Sequence, residues 1–269
     1  MISPKKTFFF DLDGTIVNDS SNDLCPNILE TLTKIKEKGN NISFATGRTL
    51  IESIELIQLV NPTLPVICMD GRLVYDYKNN DLLLSYPLEE THLSAIRKSF
   101  QNKCYIFEEY PLTITAPDSI SALLFTMSFK VKRNFVKVQH KSFSSPPLRI
   151  YLCHKDYKSN FNKEDYRLMK KVLGEHVEVY KVNDKWIVIK VAHIDKYHGL
   201  LSISKKYSLS MRDITFFGNG DNDILLFKHV GTSVAMLNSP QNVKEHAQIV
   251  AGDIKETGVL TILKDLGHC

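Results

Sequence analysis

No stretch of this chain approaches the roughly 20 apolar residues that a bilayer-spanning helix needs, so a helical membrane protein is not expected. Cysteine is scarce and poorly placed for structural use. Cys25, Cys68, Cys104, Cys153 and Cys269 are odd in number, scattered and without a Cys-x-x-Cys pair, which argues against a disulfide framework and against a zinc site. Cys68 and Cys153 sit in apolar, strand-like runs and read as small core residues. Neither sign of charge dominates, and a net charge of +4 is too mild to imply nucleic acid. No internal repeat or long low-complexity segment is visible. Met1 to Lys6 is followed at once by Asp11, leaving no room for the apolar region of a signal peptide, so a cytoplasmic protein is expected. What remains is a soluble globular composition, 43% apolar and 24% charged over 269 residues, long enough for two modest domains.

The most informative stretch is Phe8-Phe9-Phe10-Asp11-Leu12-Asp13-Gly14-Thr15. In a strand, residues i and i+2 share a face, so a strand ending here aims both carboxylates at one spot beyond its carboxyl end. Like charges held that close are costly unless a cation, a proton or a reaction uses them. Asp-Gly after an apolar run is also an ordinary turn signal.

The first eighty residues alternate as a parallel sheet with crossover helices does: strand Thr7 to Phe10, helix Pro26 to Lys38, strand Asn41 to Ala45, helix Leu50 to Leu59, strand Pro65 to Met69. The pattern returns with strand Ile214 to Phe217, a short helix Asp223 to Phe227, strand Ser233 to Met236, and helices Pro240 to His246 and Thr257 to Leu263. Between them lie helix Glu89 to Phe100, short strands Tyr105 to Glu108 and Leu112 to Thr115, strand Arg149 to Cys153, helix Lys163 to Leu173, and strands Val177 to Tyr180 and Trp186 to Val191. The expected fold is α/β: a doubly wound, mainly parallel, Rossmann-like core formed by residues 1–83 and 191–269, with an inserted α+β cap at 84–190. One oddity is Ser119 to Lys155, which holds Lys130, Lys132, Arg133, Lys137, Lys141, Arg149 and Lys155 and no acidic residue. A solvated face is the plain reading and attraction of an anionic substrate the sharper one.

Four pieces are expected at the carboxyl ends of core strands, the edge where open α/β sheets bind ligands. They are Asp11-x-Asp13; Thr46-Gly47-Arg48, a hydroxyl and backbone amides suited to a phosphoryl oxygen; Lys196 at a helix start; and the loop Gly218-Asn219-Gly220-Asp221-Asn222-Asp223. A lone lysine at a helix start is usually surface. The loop could pass for half a calcium site, but the glutamate that closes an EF-hand is missing, Val230 standing in its place.

Taken together, these motifs resemble the haloacid dehalogenase (HAD) superfamily, and within it the Cof-type, sugar-phosphatase-like hydrolases with a large inserted cap of type C2B. The resemblance rests on FFFDLDGT at Phe8 to Thr15, FATGR at Phe44 to Arg48, Lys196 ahead of Gly199-Leu200, GNGDNDI at Gly218 to Ile224, and Ser233 to Met236 with Asn238. It implies Asp11 as nucleophile forming an aspartyl phosphate, and Asp13 as acid and then base. Thr46, Gly47, Lys196 and Asn222 are implied as phosphate ligands. Magnesium is implied at Asp11, the Asp13 carbonyl, Asn219 and Asp223. The implied activity is hydrolysis of a small phosphorylated metabolite, foremost a sugar phosphate. A phosphomutase or a catalytically weakened phospholigand-binding protein would share these residues. Neither a nucleic-acid nor a membrane partner is expected, and substrate identity and oligomeric state are not written in the motifs.

One departure matters. The family usually carries aspartate where this chain has Asn219, and losing that charge removes a few kcal/mol of attraction for magnesium at an effective dielectric of about 20. Weaker magnesium binding is expected, offset in part by easier approach of a phosphate dianion, unless Asp221 or Asp223 shifts toward the metal. A second, smaller departure is Asp70, where relatives often carry asparagine.

Overall fold

The computed structural model describes residues 5–18, 23–138, 146–254 and 258–266. Met1 to Pro4, Lys141 of the basic stretch, Thr257 at an expected helix start, and Cys269 lie outside them. The chain leads with β1 (Thr7–Phe10), α1 (Ile28–Glu37), β2 (Asn41–Phe44), α2 (Leu50–Val60), β3 (Val66–Cys68), β4 (Leu73–Asp76) and β5 (Asp81–Ser85). An insertion follows: α3 (Glu90–Phe100), β6 (Cys104–Tyr110), β7 (Thr113–Ala116), α4 (Ser119–Phe129), β8 (Val136–Val138), β9 (Arg149–His154), α5 (Lys163–Leu173), β10 (Val177–Asn183) and β11 (Trp186–Val191). The chain closes with α6 (Lys196–Lys206), β12 (Ile214–Gly218), α7 (Ile224–Phe227), β13 (Thr232–Ala235), α8 (Gln241–Lys244), β14 (Ile249–Val250) and α9 (Gly258–Asp265).

These elements separate into two units, one of Met1–Thr49, Ser53–Leu84 and Asp195–Cys269, the other of Leu50–Glu52 and Ser85–Ile194. The first is built on a parallel five-stranded sheet of order β14-β13-β12-β1-β2. Its central strands are buried on both faces, which is why Phe8, Phe9, Phe10, Phe216 and Phe217 form unbroken apolar runs. A parallel bridge from Ala45 to Ile67 carries β2 on to β3, which pairs antiparallel with β4. Because β1 lies between β2 and β12, the strand order reverses there, and the crevice that such a reversal opens lies beyond the carboxyl ends of these three strands.

The second unit carries a six-stranded sheet of order β10-β11-β9-β6-β7-β8, antiparallel except for β7 with β8. Helices α3 and α5 supply Leu93, Ile96, Phe100, Met169 and Leu173 to a core with Ile150, Leu152, Ile187 and Ile189. A separate aromatic cluster holds Phe107, Phe125, Tyr151 and Trp186. Neither α4 nor β8 was expected. The α4 segment is apolar on all sides, so it lacks the 3.6-residue stripe that marks an amphipathic helix, and its signal is instead the capping box of Asp118 with Ser121.

Of the basic stretch, Lys130, Lys132, Arg133, Lys137 and Lys155 are exposed. Arg149 is buried, with Nε 3.8 Å from Glu109, and donates to the Tyr151 hydroxyl at 3.2 Å. Burial pushes the Cys104 thiol up to about 12 and Cys153 to about 11, in keeping with inert core cysteines. Among the described residues no helix is long and apolar enough to cross a membrane.

Candidate active site

Strand β1 ends at Phe10, so Asp11 and Asp13 are placed by a turn and not by strand alternation. The Asp11 N–H reaches across to Phe217 O at 2.8 Å, and the N–H groups of Thr15, Ile16 and Val17 all converge on Leu12 O. Gly14 makes the turn at φ +71, a conformation that L side chains rarely adopt. The two carboxylates differ in exposure and partners. That of Asp11 is buried, whereas that of Asp13 is half exposed and held by Arg48, whose Nε donates to Oδ1 at 3.1 Å and Oδ2 at 2.9 Å.

Lys196 is the first residue of α6 and has no exposed surface. Asp195 caps the helix by accepting from the N–H groups of Tyr197 (3.0 Å) and His198 (3.3 Å), which pins the start of the helix and the lysine with it. Its Nζ donates to Asp11 Oδ1 at 2.6 Å and Asp223 Oδ1 at 2.7 Å. Burial alone would lower the ammonium, but the two carboxylates outweigh it and hold it charged above its usual range. Asp11 feels the opposite balance: burial is the larger effect, Lys196 opposes it, and the carboxyl is pushed up to about 7.

The loop after β12 is fastened from within. Asp223, fully buried, spends its second oxygen on the N–H groups of Asn219 (2.9 Å) and Gly220 (3.0 Å). Both of its oxygens are therefore engaged by protein donors. Asp221 is exposed and accepts from Asn242 Nδ2 at 2.6 Å. The Asn219 side chain closes on Asp11, because one of its amide atoms lies 3.1 Å from Asp11 Oδ2 and 2.9 Å from the Asp13 carbonyl oxygen.

Thr46 and Gly47 leave β2 beside this group. Thr46 is buried, and its hydroxyl accepts from Arg48 N–H at 3.1 Å. Asn222, exposed, donates to Asp70 Oδ1 at 2.9 Å, and a Cβ built on Gly47 would lie 3.0 Å from that same oxygen. The structure thus joins Asp11, Asp13, Asn219, Asp223 and Lys196 by direct contacts and sets Thr46, Gly47 and Asn222 around Asp70. Arg48 and Asp70 were not named as site residues from sequence. Arg48 stands inside the FATGR motif, which was its available signal; Asp70 has φ +52 in a tight turn after β3, a placement that no local pattern announces.

A hard divalent cation suits this donor set, since a carboxylate, a main-chain carbonyl and an amide oxygen are all oxygen ligands. Oxygens cis to one another around magnesium at about 2.1 Å lie about 3.0 Å apart, and the Asn219 atom stands at that spacing from both of its neighbours. Among the described residues no three His, Cys, Asp or Glu side chains cluster as a metal site, so any cation here depends on the carbonyl and the amide.

Comparison with known proteins identifies the family of the chain. A family model described as haloacid dehalogenase-like hydrolase matches residues 8–263. A Mycoplasma genitalium protein provisionally named a phosphatase, MG265, is 24% identical over 96% of this chain and 97% of its own length. The phosphoglycolate phosphatase of Nitrosopumilus maritimus is 26% identical over 97% of this chain and 96% of its own. Among solved structures, the subclass IIB sugar phosphatase BT4131 superposes with a TM-score of 0.72 at 19% identity, covering 98% of this chain and all of that one. With the match running from the β1 strand to the last helix, the chain belongs to the haloacid dehalogenase-like hydrolases.

Proposed function

We propose that this enzyme is a magnesium-dependent phosphatase that hydrolyses a small phosphorylated metabolite through a phosphate ester on Asp11. The observation that carries the reading is the buried Lys196 bridging Asp11 and Asp223 at 2.6 and 2.7 Å. A fixed ammonium beside a carboxylate at the mouth of a parallel sheet suits attack by that carboxylate on a dianionic phosphoryl group, because the cation offsets charge that nucleophile and phosphate bring together.

Asp11 attacks phosphorus, a P–O bond to Asp11 forms, and the bond to the leaving oxygen breaks. Protonated Asp13 gives its proton to that oxygen, which requires Arg48 to release it. Water then attacks phosphorus, its proton returns to Asp13, inorganic phosphate leaves and the Asp11 carboxylate is restored. Thr46, the Gly47 amide and Asn222 hold the phosphoryl oxygens. Asp11, the Asp13 carbonyl and Asn219 would hold magnesium, which when bound supplies electrostatic stabilisation of the phosphoryl charge. Asp223 acts from behind by holding Lys196 and the loop.

A sugar phosphate is the favoured substrate class, supported by the fold shared with a sugar phosphatase, and we assign selection among substrates to the inserted unit. The test is hydrolysis of p-nitrophenyl phosphate with and without magnesium, beside Asp11→Asn. Turnover that needs magnesium and disappears in Asp11→Asn is expected; equal activity in wild type and variant overturns the proposal. Release of free phosphate separates a phosphatase from a mutase that would use the same aspartates.

A further inference from the structure

We propose that Asn219 is a two-position amide switch that takes the place of the cation when none is bound. The inference rests on the preceding reading only for the identity of that cation. A half-turn of the side-chain amide exchanges oxygen for nitrogen at one position. With its oxygen toward Asp11 and Asp13, two acceptors face an acceptor, and the oxygen's hydrogen bond is a long one from the Thr15 hydroxyl at 3.4 Å. With its nitrogen there, the amide donates to Asp11 Oδ2 at 3.1 Å and to the Asp13 carbonyl at 2.9 Å. Lone pairs left facing one another in a site this closed are costly, so without a cation the nitrogen faces inward.

A cation reverses the preference. It attracts the oxygen and repels the N–H dipole, and the same atom position already has the spacing of a ligand. The change needs only a half-turn about the terminal side-chain bond. The main chain stays in place because Asp223 fixes the Asn219 and Gly220 N–H groups, and Gly14 leaves the room, since a Cβ there would collide with the Asn219 amide.

Two consequences follow. Magnesium must displace two hydrogen bonds to gain one uncharged ligand, so it binds weakly and stabilises the protein little. The metal-free site is nonetheless ordered, because the amide ties the Asp11 carboxylate to the Asp13 carbonyl much as the ion would. An aspartate at 219 would instead bring a second carboxylate against two acceptors with no donor among them, a site that is strained when empty and strongly attractive to a dication.

The test compares thermal midpoints and magnesium titration calorimetry for wild type and Asn219→Asp at alkaline pH, where the Asp11 carboxyl is ionised. The variant is expected to melt several degrees lower than wild type in chelator, to bind magnesium roughly tenfold or more tighter, and to gain more in midpoint on adding it. Equal midpoints in chelator, or equal magnesium affinity, would overturn the switch. Should the variant fail to fold, wild type suffices. In 15N-labelled protein the Asn219 side-chain amide protons should exchange slowly without magnesium and faster with it, and exchange unaltered by magnesium overturns the inference. These readouts are independent of turnover, so loss of the phosphatase reading through an active Asp11→Asn would leave them standing.

Discussion

A lysine with no exposed surface is tolerable only if its charge is matched nearby, and Lys196 meets that condition twice, with Asp11 and Asp223. Removing it leaves two carboxylates facing each other out of water. Lys196→Met should therefore cost about 3–5 kcal/mol of stability and abolish turnover, read from urea unfolding and from p-nitrophenyl phosphate hydrolysis; a variant as stable as wild type would show that the triad is not held as described. Asp11 yields a second expectation. Burial, opposed by Lys196, raises its carboxyl to about 7 from an unfolded value near 3.9. Between those two values the folded protein holds the proton and the unfolded chain has released it, so the folded state loses stability as pH rises through that window. Asp11→Asn cannot titrate. In metal-free protein, wild type should lose stability relative to Asp11→Asn as pH goes from about 4 to about 7, and parallel pH profiles would refute the shifted carboxyl.

At the scale of elements, the site is assembled where chain segments end. Helix α6 begins on the Asp195 cap, and Gly71, at φ +88, lets the turn after β3 pass against that cap, since a Cβ on Gly71 would run into Asp195 O. Asp195→Ala should cost about 1 kcal/mol through the lost cap and also lower kcat by letting Lys196 drift. A surface cap would show only the first effect, so measuring kcat beside the unfolding midpoint distinguishes the two.

This is also where sequence and structure part company. The positions of β1, α5 and β11, and the residues Asp11, Thr46, Lys196 and Asp223, were legible because apolar runs, capping residues and motif spacing are local. The burial of Lys196 was not, since it depends on Asp223, 27 residues away, closing over it. The different partners of Asp11 and Asp13 were hidden for a related reason: Lys196 and Arg48 reach them from distant parts of the chain. Helix α4 escaped because its exposed Ile120, Leu123 and Met127 erase the polar face that would have revealed it.

At the scale of the whole molecule, each unit has its own apolar core, and the single tryptophan allows one of them to be watched alone. Trp186 lies in the second unit's aromatic cluster, 5.2 Å centroid to centroid from Phe107 and 5.6 Å from Phe125. Its fluorescence therefore reports the packing of that unit, whereas backbone circular dichroism reports both. Phe125 is fully buried and touches four other rings of the cluster, so Phe125→Ala should cost about 3–5 kcal/mol and shift the tryptophan transition in urea by a corresponding amount. Phe216, fully buried between β1 and β13 in the first unit, is the counterpart. Phe216→Ala should shift the circular-dichroism midpoint while the tryptophan transition stays where it is in wild type. A tryptophan transition that moved equally with both substitutions would mean that the two cores unfold as one cooperative block.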